Sequence, residues 1–322
     1  ATTNRGGTGG GLFIKGTTVG GNNTEVVINN ILFSGNSVET TGASGSGGGL
    51  TLRTGGGTFS SILIQDTSFL GNTVSASTSG SVTGGAIHAD HEITIAATTK
   101  DVLFDGNRVS SGSGNALGQS IYSSTDVNYT AAAGRTIADY DGIHVLGTVA
   151  KDGDGSLALL GTNAVHTMGD LDVQEGIFQS SVYNDNGNLQ SSFFADDTLS
   201  GNGEVTFGTG TAWRLDLSAL NQSDMDDLQQ NGVDVAAGGF DNVQDAQAAL
   251  DRGTEQVTFD LLLENAGGTT ATIRSARLAA ARMSDIRNSA LLMHRWNTVR
   301  NATTDRMDLN DYYHRSNASN QG

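Results

Sequence analysis

The sequence predicts an all-β chain wound as a right-handed parallel β-helix, a solenoid with a short helical cap or junction and a C-terminal α-helix. Three observations predict it. Phe-x-Gly-Asn units begin at Phe33, Phe69 and Phe104, in steps of 36 and 35 residues; a period of that size marks units that bury their apolar faces only against neighbouring units. With 45 glycines and 36% hydrophobic residues in 322, the chain is poorly suited to packed long helices. Its short runs of Val, Ile, Leu, Phe and Thr, bounded by Gly, Asn, Asp and Ser, have the grammar of strand and turn.

In residues 1–135 each Phe-x-Gly-Asn unit is accompanied by a glycine pair, at Gly10-Gly11, Gly48-Gly49 and Gly84-Gly85. Residues 117–122 (Leu-Gly-Gln-Ser-Ile-Tyr) are a worn, doubtful fourth copy. The period is read as two coils of about 18 residues, each of three short strands plus turns. Equivalent residues then stack: Phe33, Phe69 and Phe104 as an internal aromatic column, and Asn36, Asn72 and Asn107 as an amide ladder that satisfies turn backbone groups. The glycine pairs supply positive φ or close approach at a corner. The Ser/Thr-rich stretches 37–48 and 75–85 are expected to project as loops from one edge, where a solenoid carries binding surface.

Residues 136–218 continue the coils with a different motif; Leu157 and Leu159 share one strand face, and Val205 and Phe207 share another. Residues 219–268 form a cap or junction. It contains two short helices, one with Ser223 as N-cap and Gly232 after its end, the other starting near Asp241 and ending before Gly253, followed by a strand in 255–268. Residues 269–322 are basic. From Ala271 to Arg300, Ile273, Ala276, Ala280, Met283, Ile286, Ala290 and Met293 recur in steps of three or four, the pattern of a long helix with a thin apolar stripe.

Net charge is −17, yet residues 270–322 hold eight of the fourteen arginines against four Asp. The acidic remainder argues against nucleic acid or anionic membrane as partner, since phosphate binding needs a cationic face. No proline occurs, which suits a chain whose N–H groups are nearly all wanted by a ladder, and no cysteine occurs, which removes disulfides and thiolate chemistry. The lack of an initiating Met, a signal peptide and any apolar run of about 18 residues reads as a mature or trimmed chain without a transmembrane helix.

No catalytic, cofactor or metal residue is assigned. In His88-Ala-Asp90-His91-Glu92, strand alternation puts His88 and Asp90 on one side and His91 on the other, so a solvated edge or turn is favoured over a metal cluster. Asp152 and Asp154 resemble the start of a calcium loop but lack its later ligands, and read as an acidic turn. Asp196 and Asp197 read as a turn, and Trp213 and Trp296 as packing residues. A carbohydrate-active β-helix enzyme would need clustered acids beside a basic residue. Lys15, Lys100, Arg5, Arg53, Arg108 and Arg135 do not recur beside an acid pair, and no nucleophile elbow is present.

The Gly-Gly-Ala-Ile and Phe-x-x-Asn pairs at 84–87 and 104–107, with Gly-Gly-Gly-Leu variants at 9–12 and 47–50, resemble the repeats of polymorphic membrane proteins, the outer-membrane adhesins of chlamydiae. Gly153, Gly155, Leu157, Leu159, Gly161, Asn163, Gly169, Val173, Gly176 and Phe178 resemble the passenger-associated transport repeat of autotransporters, and residues 282–301 resemble the helix that runs inside the translocation barrel. The resemblance implies a type V secreted passenger, exported through its own outer-membrane barrel and folded outside on the Gram-negative cell surface. It would be non-enzymatic and without cofactor, with a host or neighbouring-cell protein or glycan as ligand. The alternative is a self-associating fibre subunit whose basic C-terminal segment docks on the acidic body of a neighbour.

Overall fold

A computed structural model of the chain describes residues 7–16, 24–41, 44–54, 59–77, 80–112, 116–162, 164–196, 198–231, 233–236, 239–254, 259–265 and 271–278. The described chain is a parallel β-helix. Strands pair almost wholly in parallel with their counterparts one coil away, so that Phe33, Phe69, Phe104, Asp139, Leu159, Ser180 and Leu215 lie in one register column. The column has seven rows, hence six coil steps.

The 36-residue period is one coil, and the expected division into two coils of about 18 is incorrect. Phe33 pairs directly with Phe69, 36 residues on. The reason lies in the Ser/Thr-rich stretches, which fold instead of looping out. The chain leaves the main coil at Asn36, runs out along Ser37–Thr40 and returns along Gly45–Ser46. Thr73–Ala76 with Val82–Thr83, and Arg108–Ser111 with Ala116–Leu117, repeat the excursion below it in register. Together these strands form a fin with a small core of its own, Val38, Val74, Ala76, Val82 and Val109. Where the fin ends, the coil shortens: Phe104 to Asp139 spans 35 residues, Asp139 to Leu159 only 20. The fin thus accounts for 15 residues per coil. Later, the strand Ile177–Asp185 extends outward and turns back antiparallel along Asn188–Ser191. Asn186 and Gly187 at that turn have φ of 52° and 92°, the positive values a tight hairpin needs.

The phenylalanine column forms as expected. Phe33 and Phe69 stack at 4.9 Å with rings 4° apart, and Phe69 and Phe104 at 5.1 Å and 6°. Beside it, Asn36 Nδ2 donates to Asn72 Oδ1 at 2.8 Å and Asn72 Nδ2 to Asn107 Oδ1 at 2.9 Å. Each rung also serves the backbone. The Asn72 and Asn107 amides donate to the carbonyls of Phe33 and Phe69, while the backbone N–H groups of Asn36 and Asn72 are received by the next rung down. The ladder therefore satisfies the corner where the chain departs into the fin. It ends on Asp141, whose carboxylate accepts from the Asn107 amide, the Asn107 N–H and the Gly106 N–H.

The glycines close the neck of the fin. The returning chain adopts φ of 65°, 63°, 64° and 67° at Gly9, Gly47, Gly84 and Gly118. These four are the equivalent set, so the third glycine pair is shifted by one from the alignment read in the sequence, and residues 116–121 are a true fourth return. At the next position a Cβ on Gly48 would lie 2.7 Å from the outgoing Thr73 carbonyl oxygen and 2.2 Å from that of Gly85. Only glycine lets the outgoing and returning chains touch there. In the fourth return this place belongs to Gln119; no fin row follows, and its side-chain oxygen accepts from the Val109 N–H on the open lower edge of the fin.

Two helices lie at the far end of the coils: α1 at Gln222–Asn231 interrupts the last coil before Gly239–Phe240 pairs back onto Glu204–Val205, and α2 at Val243–Thr254 follows it. Asn221, not Ser223, caps α1: its side chain accepts from the N–H groups of Ser223 and Asp224, and the Asp224 carboxylate accepts from the Asn221 N–H, a reciprocal capping box. Asn242 caps α2 through the Gln244 N–H. Gly253 lies in the last turn of α2 against the Trp213 backbone, not beyond it, and Arg252 Nε donates to the Thr211 carbonyl, so α2 covers the last coil. Trp213 is fully buried, with its indole N–H on Ser180 Oγ at 3.1 Å, a packing role as read. The strand expected in 255–268 is Phe259–Asn265. Ala271–Leu278, expected to open the long helix, is a strand paired antiparallel with Val233–Ala236. Its Thr272-Ile273 pair is β-branched, and its backbone groups find partners in that sheet. Residues 279–300 of the helix, Arg5, Asn163 and Trp296 lie outside the described residues.

Phe69→Ala, which removes the middle of the ring column, is expected to cost about 3–5 kcal/mol. Asn72→Ala strands the Asn36 donors and the Phe33 carbonyl and is expected to cost about 1–3 kcal/mol, whereas Ser77→Ala at the exposed fin tip is expected to be near neutral. Urea midpoints of the three variants check the order; equal mildness of all three would contradict the stacking.

Candidate functional site

The strands following each glycine neck, Leu12–Gly16, Leu50–Thr54, Ile87–Ala89 and Ile121–Ser123, form one broad face that continues into His144–Asp152, His166–Val173 and Phe193–Ala195. Alternation sends Leu50, Ile87 and Ile121 inward, all fully buried. It sends outward a second column of Phe13, Thr51, His88, Tyr122, His144, Thr167 and Phe194. The upper part of this column faces the returning strands of the fin across an inner corner.

Three rings of that column stack. His88 and Tyr122 lie 5.2 Å apart and 8° from parallel, Tyr122 and His144 5.8 Å and 18°. His88 is buried and committed: Nδ1 is 2.8 Å from Thr83 Oγ1 on the fin, and Nε2 is 3.0 Å from Asp90 Oδ1. Arg53 follows Asp90 at 3.8 Å and donates to Ser46 Oγ on the fin, while Thr51 Oγ1 donates to the Ser46 carbonyl. These contacts brace the fin against the broad face. Tyr122 and His144 are half-buried, and neither the phenol hydroxyl nor the His144 ring nitrogens have a hydrogen-bond partner among the described residues. Burial pushes both imidazoles below their ordinary value, with Asp90 opposing at His88 and Asp196 at His144; burial, helped by Asp90, raises the Tyr122 phenol. All three rings are neutral near pH 7.

Thr83, His88 and Asp90 have the order of a hydroxyl–imidazole–carboxylate relay. Acyl transfer also needs N–H donors aimed at a developing oxyanion. The neighbouring amides are all spent across the coil, Gly84 on Leu117, Gly85 on Gly118 and Ala86 on Ser120. The relay is a brace without an oxyanion site.

The other residues singled out in the sequence fall apart spatially. His88 and Asp90 share a side as read, and His91 sits apart, edge-on to Phe59 at 5.8 Å. Asp152 accepts from the Gly153 N–H, and Asp196 from the N–H and hydroxyl of Thr198, both local turns. No group of three potential metal ligands occurs among the described residues. The Tyr122–His144 stack is not visible in the sequence because the step from Tyr122 to His144 is 22 residues, outside the period, and the flanking glycines do not align it: Tyr122 lies four residues after Gly118, His144 two after Gly142.

Several charged groups are structural. Asp66 is held well below the usual carboxylate range: burial works against it, but the hydroxyls and N–H groups of Thr98 and Thr99 outweigh that. Lys151 is fully buried, its ammonium donating to the carbonyls of Asp152, Gly153 and Glu175 at 2.9, 2.6 and 3.0 Å; burial lowers it to about 8. Asp139 takes the place of phenylalanine at the end of the ring column. It accepts from the Ser120 hydroxyl and from the N–H groups of Asp141 and Gly142. Burial pushes Asp139 up to about 6; burial and the Asp139 charge do the same to Asp141.

No family model, curated protein or solved structure matches this chain.

The carboxylate pair sets a pH dependence. The folded values of Asp139 and Asp141 lie above the ordinary 3.8, so the folded state binds more protons between about pH 4 and 6. Their contribution to stability is full below about pH 4 and lost as pH rises through 6, whereas that of Asp66 is lost only as pH falls below its ordinary carboxylate value. Between pH 7 and pH 5 the two carboxylates add stability while His166, lowered by burial to about 4, and the lowered His88 and His144 remove it, so the carboxylate share is read by difference: the melting temperature of the wild type minus that of Asp139→Asn is expected to rise from pH 7 to pH 5. A difference that stays constant or shrinks over that interval would contradict the assignment.

Proposed function

We propose that this chain is a non-enzymatic surface passenger of the autotransporter type, displayed outside a Gram-negative cell, whose role is to bind a host or neighbouring-cell ligand. The observation that carries the reading is where the chain places its extra length. Coils without additions close in 20 to 23 residues, and among the described residues three fin rows and the hairpin of Ile177–Asp185 with Asn188–Ser191 extend beyond the coil, besides a shorter insertion before Glu204 and helix α1. A solenoid with repeated outward additions is a scaffold for contact surface. The absence of cysteine and proline suits export as an unfolded chain and refolding outside. Its own outer-membrane barrel would be the second partner.

Charge narrows the partner further. Residues 126–254 contain twenty acidic residues against Arg135, Lys151, Arg214 and Arg252, whereas residues 1–125 contain seven against five basic ones. The fin-bearing coils are near neutral and the lower coils acidic, which disfavours nucleic acid and anionic lipid along residues 1–254. The alternative is a fibre subunit that associates end to end or laterally, its basic C-terminal segment docking on a neighbour's acidic body; α2 against the last coil disfavours end-to-end stacking at that end and does not bear on lateral docking.

The test is binding of the purified full chain to intact cells, compared with a protein of similar size and charge. The double variant Thr41→Arg, Ser77→Arg, at exposed fin tips, is expected to keep the melting temperature and lower binding about tenfold if the tips make central contacts. Wild-type protein that binds no cell surface, or that turns over a glycan, would overturn the reading.

A further inference from the structure

The outward column of the broad face offers unspent chemistry below the fin. His88 is used up in bracing, but Tyr122 and His144 continue its stack with free polar edges, and Phe194 two rows further on is 39% exposed. We propose that the segment Tyr122–His144–Phe194 is a binding site for a neutral, extended oligosaccharide lying along the solenoid axis.

Three features select that ligand. The polar edges recur once per coil, about 4.8 Å apart, a spacing close to one pyranose unit of an extended glycan. The rings stack on one another, so they present edges that donate and accept hydrogen bonds, as a hydroxyl-rich chain requires; Phe194 supplies an exposed aromatic ring for the apolar face of a sugar. Among the described residues Arg53 is engaged with Asp90 and Ser46, and the Asp196 charge acts on His144, so an anionic chain is disfavoured there. A peptide strand is disfavoured for another reason: the strands of this face are paired above and below, and an added strand needs an open backbone edge.

The inference rests on the surface-binding reading and names a ligand class for it. The experiment is NMR titration of the full chain with cellohexaose, maltohexaose and chitohexaose, with hexagalacturonate as the anionic control. At least one neutral hexaose is expected to shift the Tyr122 and His144 ring resonances saturably at about 1–10 mM, the affinity range of a short, solvent-exposed site. Tyr122→Phe, which keeps the stack and removes the hydroxyl, is expected to weaken binding about fivefold, in line with one net hydrogen bond. Tyr122→Ala is expected to abolish it, with an unchanged circular dichroism spectrum as the folding control. The inference is overturned if none of the neutral hexaoses shifts these rings, if the shifts survive Tyr122→Ala, or if hexagalacturonate binds more tightly. Cell binding that persists undiminished in Tyr122→Ala would remove this site while leaving the surface-binding reading intact.

Discussion

The fold depends on one corner, where the chain leaves the main coil for the fin. Turning a strand outward there exposes backbone donors and acceptors that no sheet ladder can serve, and a buried unpaired amide costs about as much as the turn gains. Asn36, Asn72 and Asn107 solve this by repetition: Asn72 and Asn107 each accept from the backbone N–H and side-chain amide of the rung above, and donate to a carbonyl of the coil above and to the side chain of the rung below. Because the ladder is directional, its last member needs only to accept. Asp141 does so, and the fin stops there.

The same logic explains why repeat length changes along the chain. A coil of about 21 residues suffices for the three main strands, and the fin is an addition licensed by an asparagine at its exit and a glycine at its neck. Where Phe-x-Gly-Asn gives way to Asp139-Tyr140-Asp141-Gly142, both licences lapse and the chain passes directly to the next face. The buried Asp139 marks that change of register, since it ends the ring column while holding the turn that replaces the fin.

The phenylalanine and asparagine columns were legible because identical residues recur at a nearly constant step and bulky rings tolerate little else in a stacked core. The coil length was not. The fin strands are two to four residues long and mostly Ser, Thr and Gly, and their small core rests on single valines such as Val74 and Val82, too few to produce a visible alternation. The N-caps were misplaced by one or two residues because Ser223 and Asn221 are both competent and only geometry chooses. The strand at 271–278 was hidden by an alanine- and arginine-rich composition that fits a helix equally well until its pairing with Val233–Ala236 is known. The brace at His88 follows from alternation, but its partner Thr83 lies across the neck, and the sequence alone offers no sign of that fold-back.

The fold requires one coil per 36-residue repeat, with rings in direct register. Proton NOEs in a sample protonated only at phenylalanine test this most directly. Ring-to-ring cross-peaks are expected between Phe33 and Phe69 and between Phe69 and Phe104, from centroids at 4.9 and 5.1 Å, with none between Phe33 and Phe104. Absence of the Phe33–Phe69 cross-peak in the folded protein would place another coil between them and contradict the fold and everything argued from its fin.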